Sequence, residues 1–198
     1  MPLPRGFYAR DTLTVARSLL GRRLVRILDG ERLSGRIVET EAYVGEDDQA
    51  SHASPGPTER NISMYGPPGH TYVYIIYGMY HCFNIVTERV GFPAAVLVRA
   101  LEPLEGLDPM RKHRGPVGAR GIAELTSGPG RLCQALGIDR QHDGLDLCEP
   151  DASLFLEAGD PVPEAAIAVS PRINVRGDRA AVNAPWRFFV KDNPHVSR

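Results

Sequence analysis

The chain is poor in cysteine, with three in 198 residues. Cys82, Cys133 and Cys148 are unevenly spaced and form no CxxC, which argues against a disulfide scaffold and points to a reduced, cytoplasmic protein. Long apolar runs are lacking too. The richest, residues 71–86, is too short and too polar to span a bilayer, so no membrane partner is expected. The opening MPLPRG holds no apolar stretch of an export signal. His52, His70, His81, His113, His142 and His195 show no HExxH or other close ligand spacing, so no metal site is expected. No internal repeat or low-complexity linker is present. What remains is 42% hydrophobic, too apolar for a disordered chain, and of a length that suits one domain over residues 1–198.

Charge is almost balanced at −1 but unevenly spread. Residues 111–131 hold five Lys/Arg against Glu124, and residues 172–191 hold five against Asp178. Residues 143–164 hold seven acids and no base. Two basic segments could therefore meet an anion, although solvated faces produce the same pattern. Lys112 and Lys191 are the only lysines, so 21 of the 23 cations are arginine. Arginine suits phosphate recognition, and genomic base composition produces the same bias.

Asp11 can cap a short helix that carries Leu13, Ala16, Leu19 and Leu20 on one stripe and ends at Gly21. Residues 24–28, Asp29-Gly30 and a strand over 33–43 read as a hairpin. Residues 45–70 read as a long ordered loop, 71–88 as a second hairpin turning near Gly78, and 94–101 as a further strand. A helical piece at 132–137 and strand-like runs near 153–156, 166–169 and 186–190 follow. The class expected is α+β: a single domain with a curved antiparallel sheet, surrounding helices and a protruding hairpin.

Two segments concentrate unusual chemistry. In the strand 37–44 (IVETEAYV), Val38, Thr40, Ala42 and Val44 share one face and Ile37, Glu39, Glu41 and Tyr43 the other. That second face is either wet sheet surface or a cleft in which a carboxylate handles a water or a proton. The segment 72–84 (YVYIIYGMYHCFN) holds five aromatics, with Tyr77 and Met79 near the tip. A large residue there is placed either to pack locally or to wedge between stacked bases. A three-residue turn would put Tyr74 and Asn84 on one face and a two-residue turn on opposite faces; the sequence leaves both open.

Residues 36–43 (RIVETEAY), 72–84, 97–103 (LVRALEP), 127–133 (SGPGRLC) and 187–197 (RFFVKDNPHVS) resemble, in order and spacing, the alkyladenine (3-methyladenine, N-methylpurine) DNA glycosylase family. The resemblance runs from about residue 7 onward. It implies a single DNA glycosylase domain without metal or organic cofactor. The partner implied is double-stranded DNA containing alkylated or deaminated purines, with the enzyme a monomer, nucleoid-associated if bacterial. By the same resemblance Glu41 activates a water for attack on C1′ of a flipped nucleotide, and Arg99 helps hold the water and a phosphate. Ile173 would offer its backbone carbonyl to that water. Tyr43, His52 and Tyr74 would sandwich the base, an electron-poor purine being drawn to ring faces, while Cys82, Asn84 and Leu97 form the pocket floor. Tyr77 would intercalate, flanked by Met79 and Tyr80. Arg111, Arg114, Gly130, Arg131 and Arg172 would lie along the DNA backbone.

His81 stands where relatives are expected to carry an apolar aromatic, and residues 53–70 match the family loosely. Other readings are a small-molecule or RNA N-ribosyl hydrolase that keeps Glu41 without a wedge, a metal-dependent hydrolase, and a damage-binding module that releases no base.

Overall fold

The computed structural model describes residues 1–197. One helical turn, α1 (Arg5–Tyr8), buries Tyr8 completely. The carboxylate of Asp11 accepts from the Thr14 N–H at 2.8 Å and so caps α2 (Thr12–Leu19). Val15, Ala16 and Leu19 turn inward, and Leu13, expected on that stripe, is only partly covered. The first hairpin joins β1 (Arg23–Leu28) to β2 (Glu31–Val44) through Asp29 and Gly30. Both turn residues have positive φ, 51° and 80°, the conformation that matches strand twist in a two-residue turn.

The loop at 45–70 is ordered around buried polar anchors. Asn61 donates from Nδ2 to the carbonyls of His52 and Gly56 at 2.7 and 2.9 Å. A short 3-10 turn over Ile62–Tyr65 then buries Met64 against Ala53, Tyr72, Val86 and Ala95 in a small second core. The second hairpin comprises β3 (Thr71–Ile76) and β4 (Tyr80–Val86). Ile76 pairs with Tyr80, so the loop is three residues long and Tyr74 shares a face with Asn84. β5 (Ala94–Glu105) follows.

Next comes a helix the sequence reading lacked, α3 (Leu107–Arg114), bracketed by Gly106 and Gly115, both with positive φ. Only Met110 is fully buried in it, so its apolar signal is weak. α4 (Pro129–Leu136) starts on a proline and ends at left-handed Gly137, whose N–H reaches the carbonyls of Cys133 and Gln134. The chain closes with β6 (Leu154–Glu157), β7 (Ile167–Ser170), α5 (Arg179–Asn183) and β8 (Arg187–Val190).

Among the described residues the eight strands form one sheet in the order β3-β4-β5-β2-β1-β6, with β8 beside β2 and β7 beyond it. Every pairing is antiparallel. The fold is α+β, as expected. β2 is its spine, with β5 along one edge and β1 and then β8 along the other. The Thr40 hydroxyl donates to the Ala16 carbonyl at 3.0 Å, tying α2 to the core face of β2. The β2–β5 pairing is irregular at Ser34/Gly35 and again beyond Ile37, where strict alternation fails. The β2–β5 register shifts between Ile37 and Thr40, and Ile37 joins Leu33 and Ala42 in the main core instead of lying with the glutamates.

Candidate active site

Residues 39–41 of β2 lie between β5 and β8, and this decides the fate of the two carboxylates. Both are buried: Glu39 and Glu41 are each 0% exposed. Glu41 Oε1 accepts from the Ile173 N–H at 2.7 Å. Its Oε2 accepts from the Tyr43 hydroxyl at 2.9 Å and from Arg99 Nη1 at 3.1 Å. Ile173, expected to turn its carbonyl to a water, thus meets Glu41 through its N–H. Arg99 bridges the carboxylates, since its Nε donates to Glu39 at 3.0 Å. Buried carboxylates need such donors, because burial of an unpaired charge is costly. Burial works against the Arg99 charge, yet Glu41 and then Glu39 hold its guanidinium above the ordinary value.

Tyr43, Arg99 and Ile173, each bonded to Glu41, help to line a cleft of about 780 Å³. Burial, and then the Glu41 charge, push the Tyr43 hydroxyl well above its ordinary range, so it stays a donor. Tyr74, Cys82, Asn84 and Leu97 line the same cleft from β3, β4 and β5. Burial pushes the Cys82 thiol up to about 11, leaving it an unreactive neutral wall. Asn84 commits its amide nitrogen to the carbonyls of Tyr72 and Cys82, at 2.9 and 3.4 Å. What it has left to offer is an acceptor oxygen.

His52 enters from the ordered loop. Its Nδ1 lies 2.8 Å from the Tyr72 hydroxyl, and its ring meets Tyr74 edge-on at 4.4 Å between centroids. Burial and then Arg60 lower its imidazole below the ordinary value. Tyr72 is a lining residue the sequence reading did not single out, although the alternation of β3 puts it on the face of Tyr74.

At the mouth, Tyr77 is 84% exposed and Met79 is 64% exposed, on a tip whose chain is left-handed at both Tyr77 (φ 52°) and Gly78 (φ 69°). Tyr77 and Tyr80 line the cleft; Met79 does not. Opposite lie Arg114, Gly130 and Arg131. A Cβ on Gly130 would come within 3.2 Å of the Tyr80 side chain, so α4 packs closely against the hairpin there. Burial and then Arg131 pull the Arg114 guanidinium below its ordinary value. No Asp or Glu lines the cleft, whereas Arg99, Arg114, Arg131 and Arg176 do.

One expected backbone contact is corrected. Arg172 is buried, and donates to both oxygens of Asp48 at 2.6 and 2.7 Å and to the carbonyls of Ala42 and Ala181. Its guanidinium also sits 4.7 Å from the Tyr43 ring and 4.9 Å from Trp186. It is a buttress beneath the pocket wall, and a phosphate cannot reach it. Arg111, by contrast, pairs with Asp108 at 2.9 Å on the exposed surface of α3, outside the cleft but open to a partner. The sequence reading missed Arg176, Gln49 and Ser127 in the lining, and Ser197 beside Glu39. Ser127 lay inside a block already singled out; Gln49 and Arg176 carry no local signal. Among the described residues no three His, Cys, Asp or Glu side chains converge to hold a metal ion, and no helix is long and apolar enough to cross a membrane.

The model of the methylpurine-DNA glycosylase family matches residues 6–194. A relative from Methanocella arvoryzae is 53% identical over 198 residues, covering 99% of this chain and 96% of its own. One from Alkaliphilus oremlandii is 48% identical over 204 residues and covers both chains fully. One from Myxococcus xanthus is 52% identical over 196 residues, covering 99% of this chain and 93% of its own. All three are named, provisionally, as 3-methyladenine DNA glycosylases. With a cleft walled by aromatics and arginines over a buried glutamate, and similarity along the whole chain, the protein belongs to the methylpurine-DNA glycosylase family.

Proposed function

We propose that residues 1–198 form one monomeric domain that removes alkylated purines, 3-methyladenine and 7-methylguanine among them, from double-stranded DNA, with hypoxanthine and ethenoadenine as further substrates. The enzyme is a DNA-3-methyladenine glycosylase, a hydrolase of N-glycosyl bonds. It works in the cytoplasm, at the nucleoid in a bacterial cell. The observation that carries the reading is Glu41, fully buried and fixed by three donors directly behind the cleft wall.

Tyr77 enters the stack as the damaged nucleotide swings out. Flipping costs a few kcal/mol, least for a damaged or mispaired base, which favours lesions. The extruded purine lies between Tyr43, His52 and Tyr74, where stacking contributes about 1–3 kcal/mol. Glu41 and Arg99 orient a water toward C1′, and the fixed negative charge of Glu41 favours the oxocarbenium-like transition state. Glu41 takes the proton of the attacking water; a cationic alkylpurine leaves as a neutral base and needs no acid, whereas hypoxanthine and ethenoadenine take up a proton from solvent as they leave. Arg114 and Arg131 meet phosphates and set the register without reading sequence.

The strand itself is left uncut. Strand-nicking glycosylases attack with an amine, and neither Lys112 nor Lys191 lines the cleft. Borohydride should therefore trap no protein–DNA adduct, and an adduct through either lysine would overturn this point.

The central test is release of free base from methylated duplex DNA in EDTA. Wild type should release methylpurines, and Glu41→Gln should be slower by at least ~100-fold, at the low end of general acid–base contributions. Equal rates would move the chemistry off Glu41. Binding of the lesion without release by wild type would favour a damage-binding module.

A further inference from the structure

Glu39 has no part in the reaction just described, yet it accepts more hydrogen bonds than Glu41 does. Its Oε1 accepts from Arg99 Nε at 3.0 Å, from Arg187 Nε at 2.7 Å and from the Ser197 hydroxyl at 2.8 Å. Its Oε2 accepts from the Ser197 N–H at 2.7 Å. Ser197 in turn accepts from Arg99 Nη2 at 3.3 Å, and Arg187 Nη2 donates to the Ser197 carbonyl at 3.4 Å. The Ser127 hydroxyl holds the neighbouring Val196 carbonyl at 3.3 Å. The end of the described chain is thus folded over the back of Arg99.

We infer that Glu39, Arg187 and Ser197 are positioning residues that act through Arg99 to set the aim and the base strength of Glu41. The inference rests on the glycosylase reading. Arg99 reaches Glu41 with Nη1 while its other two nitrogens are held from behind, by Glu39 and Ser197. A guanidinium gripped on every edge cannot rotate away from the carboxylate it serves. The charge balance matters equally. Glu39, Glu41, Arg99 and Arg187 form a row of two anions and two cations, neutral as a set and almost free of water. In such a place the loss of one charge is felt strongly by the others.

The remaining groups facing Glu41 keep their charge state when Glu39 or Arg187 is altered. Tyr43 on its own strand and Cys82 on β4 are both held neutral by burial. Arg172, behind Tyr43, is neutralised by Asp48.

Opposite signs follow for two variants. Glu39→Gln leaves an excess positive charge beside Glu41. The acidic limb of the kcat profile should move down. Arg187→Gln leaves an excess negative charge, and the limb should move up. Ser197→Ala removes a hydrogen bond without changing charge, so kcat should fall with the limb in place, and Ser197→Thr should restore it. Each of the first two variants should lower kcat by roughly 10- to 100-fold with KM within about twofold, as expected for misaimed groups.

The measurement is base release from methylated duplex DNA across pH, with thermal melting of each variant alongside. Limbs that stay at the wild-type pH, or move in the same direction, while kcat falls with melting temperature would reduce the cluster to a structural tie and overturn the inference. Should Glu39→Gln fail to fold, an upward limb in Arg187→Gln beside an unmoved limb in Ser197→Ala decides for it, and any other pattern decides against. A wild type that releases no methylpurine at any pH sinks the glycosylase reading, and this inference with it.

Discussion

At the scale of single residues, burial separates groups that the sequence makes look alike. Arg172 and Arg131 both stand in basic segments, but only Arg131 lines the cleft. Arg172 and Asp48 are paired with both side chains fully buried. Removing one partner strands the other charge, so Arg172→Ala should destabilise the protein by about 3–5 kcal/mol, read from urea denaturation. The salt dependence of DNA binding should be unchanged in whatever folded protein remains; a shallower slope would return Arg172 to the DNA interface. His52 gives a prediction in pH. Its folded-state value lies below the ordinary 6.5, mainly through burial, so unfolding takes up a proton. Its contribution is whole above that range and is lost as pH falls below it. Between about pH 7.5 and 5.5 the wild type should lose stability more steeply than His52→Gln. Equal slopes would show that His52 titrates freely.

At the scale of elements, the protruding hairpin carries strain at Tyr77, the residue proposed to enter the base stack. A tyrosine in the left-handed region costs on the order of 1–3 kcal/mol. Glycine would relieve that strain but adds freedom to the unfolded chain. Tyr77→Gly should accordingly fold with a stability within about 1 kcal/mol of wild type. It should nevertheless release base from duplex DNA much more slowly, with little change on single-stranded DNA, where no gap needs filling. A parallel loss on both substrates would make Tyr77 a pocket residue and not a wedge. The hairpin was legible in the sequence because its aromatics, Gly78 and alternation all point one way, and only its turn length stayed open. β1, β2 and the cap of α2 were equally clear, each from a local signal: Asp29-Gly30, period-two alternation, Asp11. α3 was not, because Leu107 and Met110 are too few to mark a buried stripe. Nor was the shift of Ile37 to the main core, since a bulge depends on the partner strand. The pocket was readable through family resemblance; the fate of Glu39 was not, because Arg187 and Ser197 reach it across more than a hundred residues of chain.

At the scale of the whole molecule, near-neutral net charge hides a cationic cleft. Binding should weaken as salt rises, because each neutralised phosphate releases counterions. Arg131→Ala should lower the slope of log K against log salt by about one, uniformly across sequences, by fluorescence anisotropy at several salt concentrations. An unchanged slope would place Arg131 off the backbone. The same molecule joins two mechanical regimes. From Glu39 to Glu41, β2 has a hydrogen-bonded neighbour on each side, while the tip at Tyr77 is held by little beyond its own turn. In deuterium oxide the backbone amides of that central stretch should be among the last to exchange, opening only when the sheet comes apart, and those of the tip among the first. On the proposed function, the protein would then search the duplex with its loosest segment while the carboxylate assigned to the water stays in the part that moves least.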